Sequence, residues 1–162
     1  MRRTLLAATC LVGFALCADP PAIREGLWSI HTVSVDNPGD KRIEGTRSLC
    51  RNHAYDVRIR EQAENRQKQS CKSFTGTISG NRFTQSSECT IQGSVVASKG
   101  VTTFSGDTST HTETHTTFTP ALYGIAESAM TIDQKYLGAC PAGMAPGDYM
   151  SSDGKVTHVQ QH

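Results

Sequence analysis

The chain has 162 residues, with 16 Lys+Arg against 15 Asp+Glu and six cysteines. A formal charge of +1 gives no basis for binding nucleic acid or an anionic membrane, since both call for a basic excess. The length suits one domain.

The opening, MRRTLLAATCLVGFALCADPP, reads as a signal peptide. Arg2 and Arg3 supply a positive start, Leu5 to Ala15 is an apolar run too short to span a bilayer, and small residues follow. Cleavage after Ala18 fits best, and cleavage after Cys17 is the alternative. A lipid anchor on Cys17 is disfavoured because lipoprotein signals carry a small residue just before that cysteine, and Leu16 is not small. Losing residues 1–18 removes Arg2 and Arg3, so Lys+Arg falls from 16 to 14 against 15 Asp+Glu and the net charge moves from +1 to −1. No other segment has the ~20 apolar residues of a membrane helix. The expectation is a periplasmic or secreted domain over residues 19–140, not transmembrane after cleavage.

GLWSIHTVSV (Gly26–Val35) is rich in β-branched and aromatic residues and reads as the first strand. The turn Asp36–Asp40 returns the chain into KRIEGTRSLC (Lys41–Cys50), the second. The period then changes. Residues 52–68 lack Gly and Pro and are full of helix formers. Asn52 is placed to cap this helix, and Tyr55, Ile59 and Ala63 form a narrow apolar stripe.

CKSFTGTIS and RFTQSSECTIQ flank Gly80-Asn81 and read as a hairpin with Ile78 opposite Phe83. That register sets Cys71 opposite Thr90; one β-bulge shifts it so that Cys71 meets Cys89. Such a bulge is expected, and with it Lys72 opposite Glu88. GSVVAS and VTTFSG read as a further hairpin turning at Lys99-Gly100. STHTETHTTF (Ser109–Phe118) is a strand, residues 120–128 a loop, and AMTIDQKYLGAC (Ala129–Cys140) the last strand. Residues 141–162 show no period and read as a mobile tail.

The fold class is therefore mainly β: an antiparallel meander of about seven or eight strands, as a curved sheet or partly closed barrel, with one short helix after the second strand. The helix is expected over an open end or edge. Trp28, Ile30, Phe74, Ile78, Phe83, Ile91, Val95, Phe104, Phe118, Ile132 and Tyr136 are the expected core.

After cleavage four cysteines remain: Cys50, Cys71, Cys89 and Cys140. An even number in an exported chain reads as two disulfides. Of the three pairings, Cys71 with Cys89 and Cys50 with Cys140 are favoured. The first staples a hairpin, and the second ties the end of the second strand to the last one.

The GLW opening, the SLC that closes the second strand before a helix, the Gly-Asn hairpin bracketed by Cys71 and Cys89, and the terminal Gly138-Ala139-Cys140 together resemble bacterial exported proteins of domain of unknown function family 3617. The resemblance spans nearly all of the mature chain and implies a small periplasmic β-domain. It implies no catalytic residues.

The stretch THTETHTT (Thr110–Thr117) raises the question of a metal. HTETH is not the HExxH pattern, and five threonines in eight residues disfavour a helix. On a strand His111, Glu113 and His115 share a face, with the two histidine Cα atoms ~13 Å apart. They are weak metal candidates, for which His31 is the one nameable extra ligand. A cross-strand polar ladder accounts for the composition more simply. There is no Gly-x-Ser-x-Gly elbow and no P-loop. The reading is a non-enzymatic module without a cofactor, binding a small apolar ligand or an envelope partner, with Trp28 and Tyr123 as candidate wall residues. The alternatives are a structural or assembly partner acting through an edge strand, and a metal-handling protein using His111, Glu113 and His115.

Overall fold

The computed structural model describes residues 21–159. The expected signal peptide and the Cys17 site lie outside them. Alternating polar and apolar residues set the architecture: β1 (Gly26–Asn37), β2 (Lys41–Arg51), α1 (His53–Ser70), β3 (Cys71–Ser79), β4 (Arg82–Ile91), β5 (Ser94–Ser105), β6 (Ser109–Leu122), β7 (Ile125–Gly138), β8 (Tyr149–Ser151) and β9 (Val156–Thr157). They form one nine-stranded antiparallel sheet in the order β3-β4-β5-β6-β7-β1-β2-β8-β9. The sheet is open, not a closed barrel.

Both disulfides form as expected, Cys50 with Cys140 and Cys71 with Cys89. Ile78 pairs with Phe83 and Cys71 with Cys89, and the register shifts between Cys71 and Ser73. Lys72 is the bulged residue, so Ser73 rather than Lys72 stands opposite Glu88, although the Lys72 ammonium still reaches Glu88 at 3.4 Å.

Three sequence expectations are corrected. Lys99-Gly100 is not a turn: β5 runs unbroken through it, pairing Gly100 with Gln85 and Thr114. The glycine is there for space, since a Cβ on it would lie 3.1 Å from Thr114 Oγ1 and 3.3 Å from Gln85 Nε2. The turn before β5 is made by Gln92 and Gly93, both at positive φ. Residues 120–128 are not a loop but the tip of the β6–β7 hairpin, turning at Tyr123 and Gly124. The fold also continues past Cys140. β8 pairs with β2 and β9 with β8, and Asp148, 4% exposed, accepts hydrogen bonds from the N–H groups of Ala145 and Val159 and pairs with His158.

The core is small. Trp28 is fully buried, and Leu27, Ile30, Cys50, Val96 and Phe104 accompany it. The Trp28 indole donates to the Arg24 carbonyl at 2.8 Å and meets Tyr136 edge-to-face at 6.0 Å. Phe74, Ile91 and Val95, expected inside, are exposed. Val96 takes the buried place expected of Val95, because an uninterrupted β5 puts Val96 on the same face as Phe104. Gly26 makes the close approach of β1 to β7 workable. Its φ is +140°, and a Cβ there would sit 2.3 Å from the Gly138 carbonyl oxygen.

A cavity under a helical strap

Because paired residues in adjacent strands share a face, the register sorts every side chain. On the outer face Thr103, His111, Asp133, His31 and Thr46 form one row across β5, β6, β7, β1 and β2. On the inner face the neighbouring row is Phe104, Thr110, Gln134, Ile30 and Arg47.

The outer face contains the weak metal candidates, and it disperses them. His111 Nδ1 lies 2.6 Å from Asp133 Oδ1, and its Nε2 lies 3.7 Å from Glu113. His115 turns to Glu127 at 3.7 Å. His31 stands beside Asp133 in the register but turns away, to Thr46 at 2.9 Å and Glu44 at 3.4 Å. Among the described residues no three His, Cys, Asp or Glu side chains gather to hold one metal ion. The hydrogen bond from His111 to Asp133 favours the charged imidazole and raises its pKa above 6.5.

The inner face carries the helix. Strands β2 and β3, which α1 joins, stand six places apart in the sheet order, ~29 Å across a flat sheet at ~4.8 Å per step. Eighteen helical residues reach ~27 Å at ~1.5 Å each. The helix therefore lies across the strands rather than along them. Asn52 caps it, accepting from the Tyr55 N–H at 2.8 Å, as its sequence position suggests. Glu25 accepts from the His53 N–H at 2.9 Å. A disulfide brackets each end: Cys50–Cys140 two residues before the cap, and Cys71–Cys89 directly after Ser70. The helix touches the sheet at β3 and β4, and none of its residues is buried. It is a strap held at its ends.

Beneath the strap lies a cavity of about 580 Å³, within the ~300–1,000 Å³ range of small-molecule sites. Its floor comes from five strands: Phe83, Thr102 and Phe104, Thr110 and Thr112, Gln134, and Leu49 with Arg51. Tyr55, Ile59 and Ala63 form the roof, and Ile23 a side. A second concavity of about 660 Å³ spreads over β4 to β7 and includes Glu113 and His115, but no helix covers it.

The lining is mixed, with Arg51, Gln134 and three threonines on the floor and His53, Asp56 and Arg60 on the helix. Arg51 is bound twice: its Nε donates to Asp56 at 2.8 Å and its Nη1 to the Gln134 Oε1 at 2.7 Å. Thr102 and Thr112 hydrogen bond to each other at 2.9 Å. Thr110, 5% exposed, has a buried hydroxyl with no partner.

Sequence reasoning placed Tyr55, Ile59 and Ala63 on one helix face, and Phe83 and Phe104 inside, but not around a common space. It missed Arg51, Gln134 and the inward role of Thr110. The available signal was an apolar stripe too narrow to bury an 18-residue helix, on a segment with a cysteine near each end. Tyr123, offered as a wall residue, stands 80% exposed at a hairpin tip and bonds Gln92 at 2.7 Å. Trp28 belongs to the packed core.

Two disulfides are stable in an oxidising compartment outside the cytoplasm, and no described helix is long and apolar enough to cross a membrane. No curated protein matches the chain. The profile of a family described as proteins of unknown function, DUF3617, matches residues 23–140. That span runs from Ile23 on the cavity wall through the strap to the cysteine that anchors its first end, and the chain belongs to the DUF3617 family.

Proposed function

We propose that the protein is an exported periplasmic, non-enzymatic binding module that holds a small, mainly apolar ligand between α1 and the inner face of the sheet. The carrying observation is the strap itself. A helix fixed by a disulfide near each end, with none of its residues buried, spans about 580 Å³ of space whose apolar walls are Leu49, Phe83, Phe104, Tyr55 and Ile59. A helix with only a packing role would settle onto the sheet and close that volume, because interiors pack densely. Holding it off costs buried area, and an apolar occupant restores that area.

The test is native mass spectrometry of the protein exported to a bacterial periplasm and purified gently, beside an Ile59→Glu variant that puts a charge into the roof. A lipid-sized adduct on the wild type, absent from the variant, is the expected result. A bare protein that also fails to enhance anilinonaphthalene sulfonate fluorescence would end this reading.

Assembly through an edge strand is the second reading, and β3 is its candidate, since it pairs only with β4. Its first residues carry a bulge at charged Lys72, a device that discourages edge-to-edge pairing, which favours the cavity instead.

A further inference from the structure

The cavity has one defined polar seat, and its hydrogen-bonding capacity indicates the chemistry it would take. Thr110 is 5% exposed, lines the space under the strap, and its hydroxyl oxygen is buried without a partner. A buried hydroxyl left unpaired costs free energy, and native proteins rarely leave one so. Gln134 stands beside it in the register. Arg51 has only donors, so the oxygen of Gln134 faces it at 2.7 Å, which leaves both amide hydrogens of Gln134 for another acceptor. The nearby Thr102 and Thr112 satisfy each other at 2.9 Å, and the Arg51 charge is matched by Asp56 at 2.8 Å. What remains without a protein partner at this point of the floor is a pair of adjacent donors, one hydroxyl and one amide, in a cavity whose lining also carries His53, Asp56 and Arg60.

We infer that the ligand is an acyl compound, an apolar chain ending in a carbonyl or carboxylate oxygen that accepts from Thr110 and Gln134. This rests on the proposed function and goes further by assigning the head group and its seat. Phe83, Phe104, Leu49 and Ile59 take the chain, and the floor donors take the oxygen. Asp56 matches the Arg51 charge beside this seat, so at the two floor donors an ester carbonyl and a carboxylate share the same recognition.

The experiment is dye-displacement titration of the oxidised, exported protein with dodecanoic acid, methyl dodecanoate and dodecane, repeated on Thr110→Val. Valine keeps the shape and deletes the hydroxyl. The expected result is that acid and ester displace the dye at about tenfold lower concentration than dodecane, and that Thr110→Val erases most of this advantage. Thermal unfolding of unliganded Thr110→Val should be no lower than wild type, because no protein bond is lost. A variant that fails to fold is covered by Gln134→Leu, which removes the other donor and should weaken the acid and ester but not the alkane. If all three compounds bind alike, or if Thr110→Val leaves the acyl advantage intact because water satisfies the hydroxyl, the head-group assignment falls while the binding module stands. If none displaces the dye and no dye binds, the binding module falls as well. Whether acid or ester binds better distinguishes a free acid from an esterified lipid as the source.

Discussion

The two faces of this sheet solve the same problem differently. On the outer face the polar side chains complete one another: His31 with Thr46 at 2.9 Å, Thr75 with Ser86 at 2.8 Å, and His111 with Asp133 at 2.6 Å show how short polar groups find partners along and across strands. Such a face needs nothing further, since water serves whatever remains. The inner face has its packed end at Trp28, Ile30 and Tyr136. Its other end is covered only by a helix held off by its anchors, and there one buried hydroxyl stays unpaired. The half that can be satisfied by neighbours is satisfied. The half that cannot is where function is to be sought.

That contrast can be broken most forcefully at the anchors. Replacing Cys50 and Cys140 with serine removes the cross-link over 90 residues, worth roughly 4.5 kcal/mol in chain entropy. Urea unfolding should show that loss, against roughly 3 kcal/mol for removing Cys71–Cys89. An equal or reversed order would mean that the strap's first end is not its main tether. Phe104→Ala deletes a buried ring from the inner face and should cost about 3 kcal/mol. A change below about 1 kcal/mol would show that this region is not packed core. Gly26→Ala forces a Cβ against the Gly138 carbonyl at positive φ and should cost about 2 kcal/mol, read as a lowered urea midpoint without a changed slope.

The smallest effect belongs to the outer face. His111→Ala should move stability by less than about 0.5 kcal/mol, because the pair is largely exposed. Its sign with pH is nonetheless defined. The folded pKa lies above 6.5, so the pair's contribution is full below that value and disappears as pH rises through the raised folded pKa. An NMR titration of the imidazole should place its pKa above 6.5 and return it toward 6.5 in Asp133→Asn. If Asp133→Asn leaves the titration unmoved, the hydrogen bond is not its cause.

Local chemistry was legible where it is local. The Gly80-Asn81 turn and the Asn52 cap follow from neighbours a few residues apart, and the bulge that aligns Cys71 with Cys89 from counting along one hairpin, and the structure agrees. The phase of β5 was misread because Lys99-Gly100 resembles a turn. Only the packing of Gln85 and Thr114 over Gly100 shows why a glycine sits inside a strand. The same error exchanged Val95 for Val96. β8 and β9 were invisible because strands of three and two residues are too short to display a period.

The candidate site was illegible for a related reason. THTETHTT attracts attention through its histidines, yet its consequential member is Thr110, whose inward orientation depends on partners in β5 and β7. The sequence by itself determined the alternation that makes a sheet, the turns that order it, and the cysteines that pair across it, because each is a matter of period and spacing along the chain. Only the tertiary structure decided that a helix of ~27 Å bridges strands six places apart in the sheet. Crossing six places of the sheet between two disulfides, the helix spans the inner face and leaves open the space beneath it.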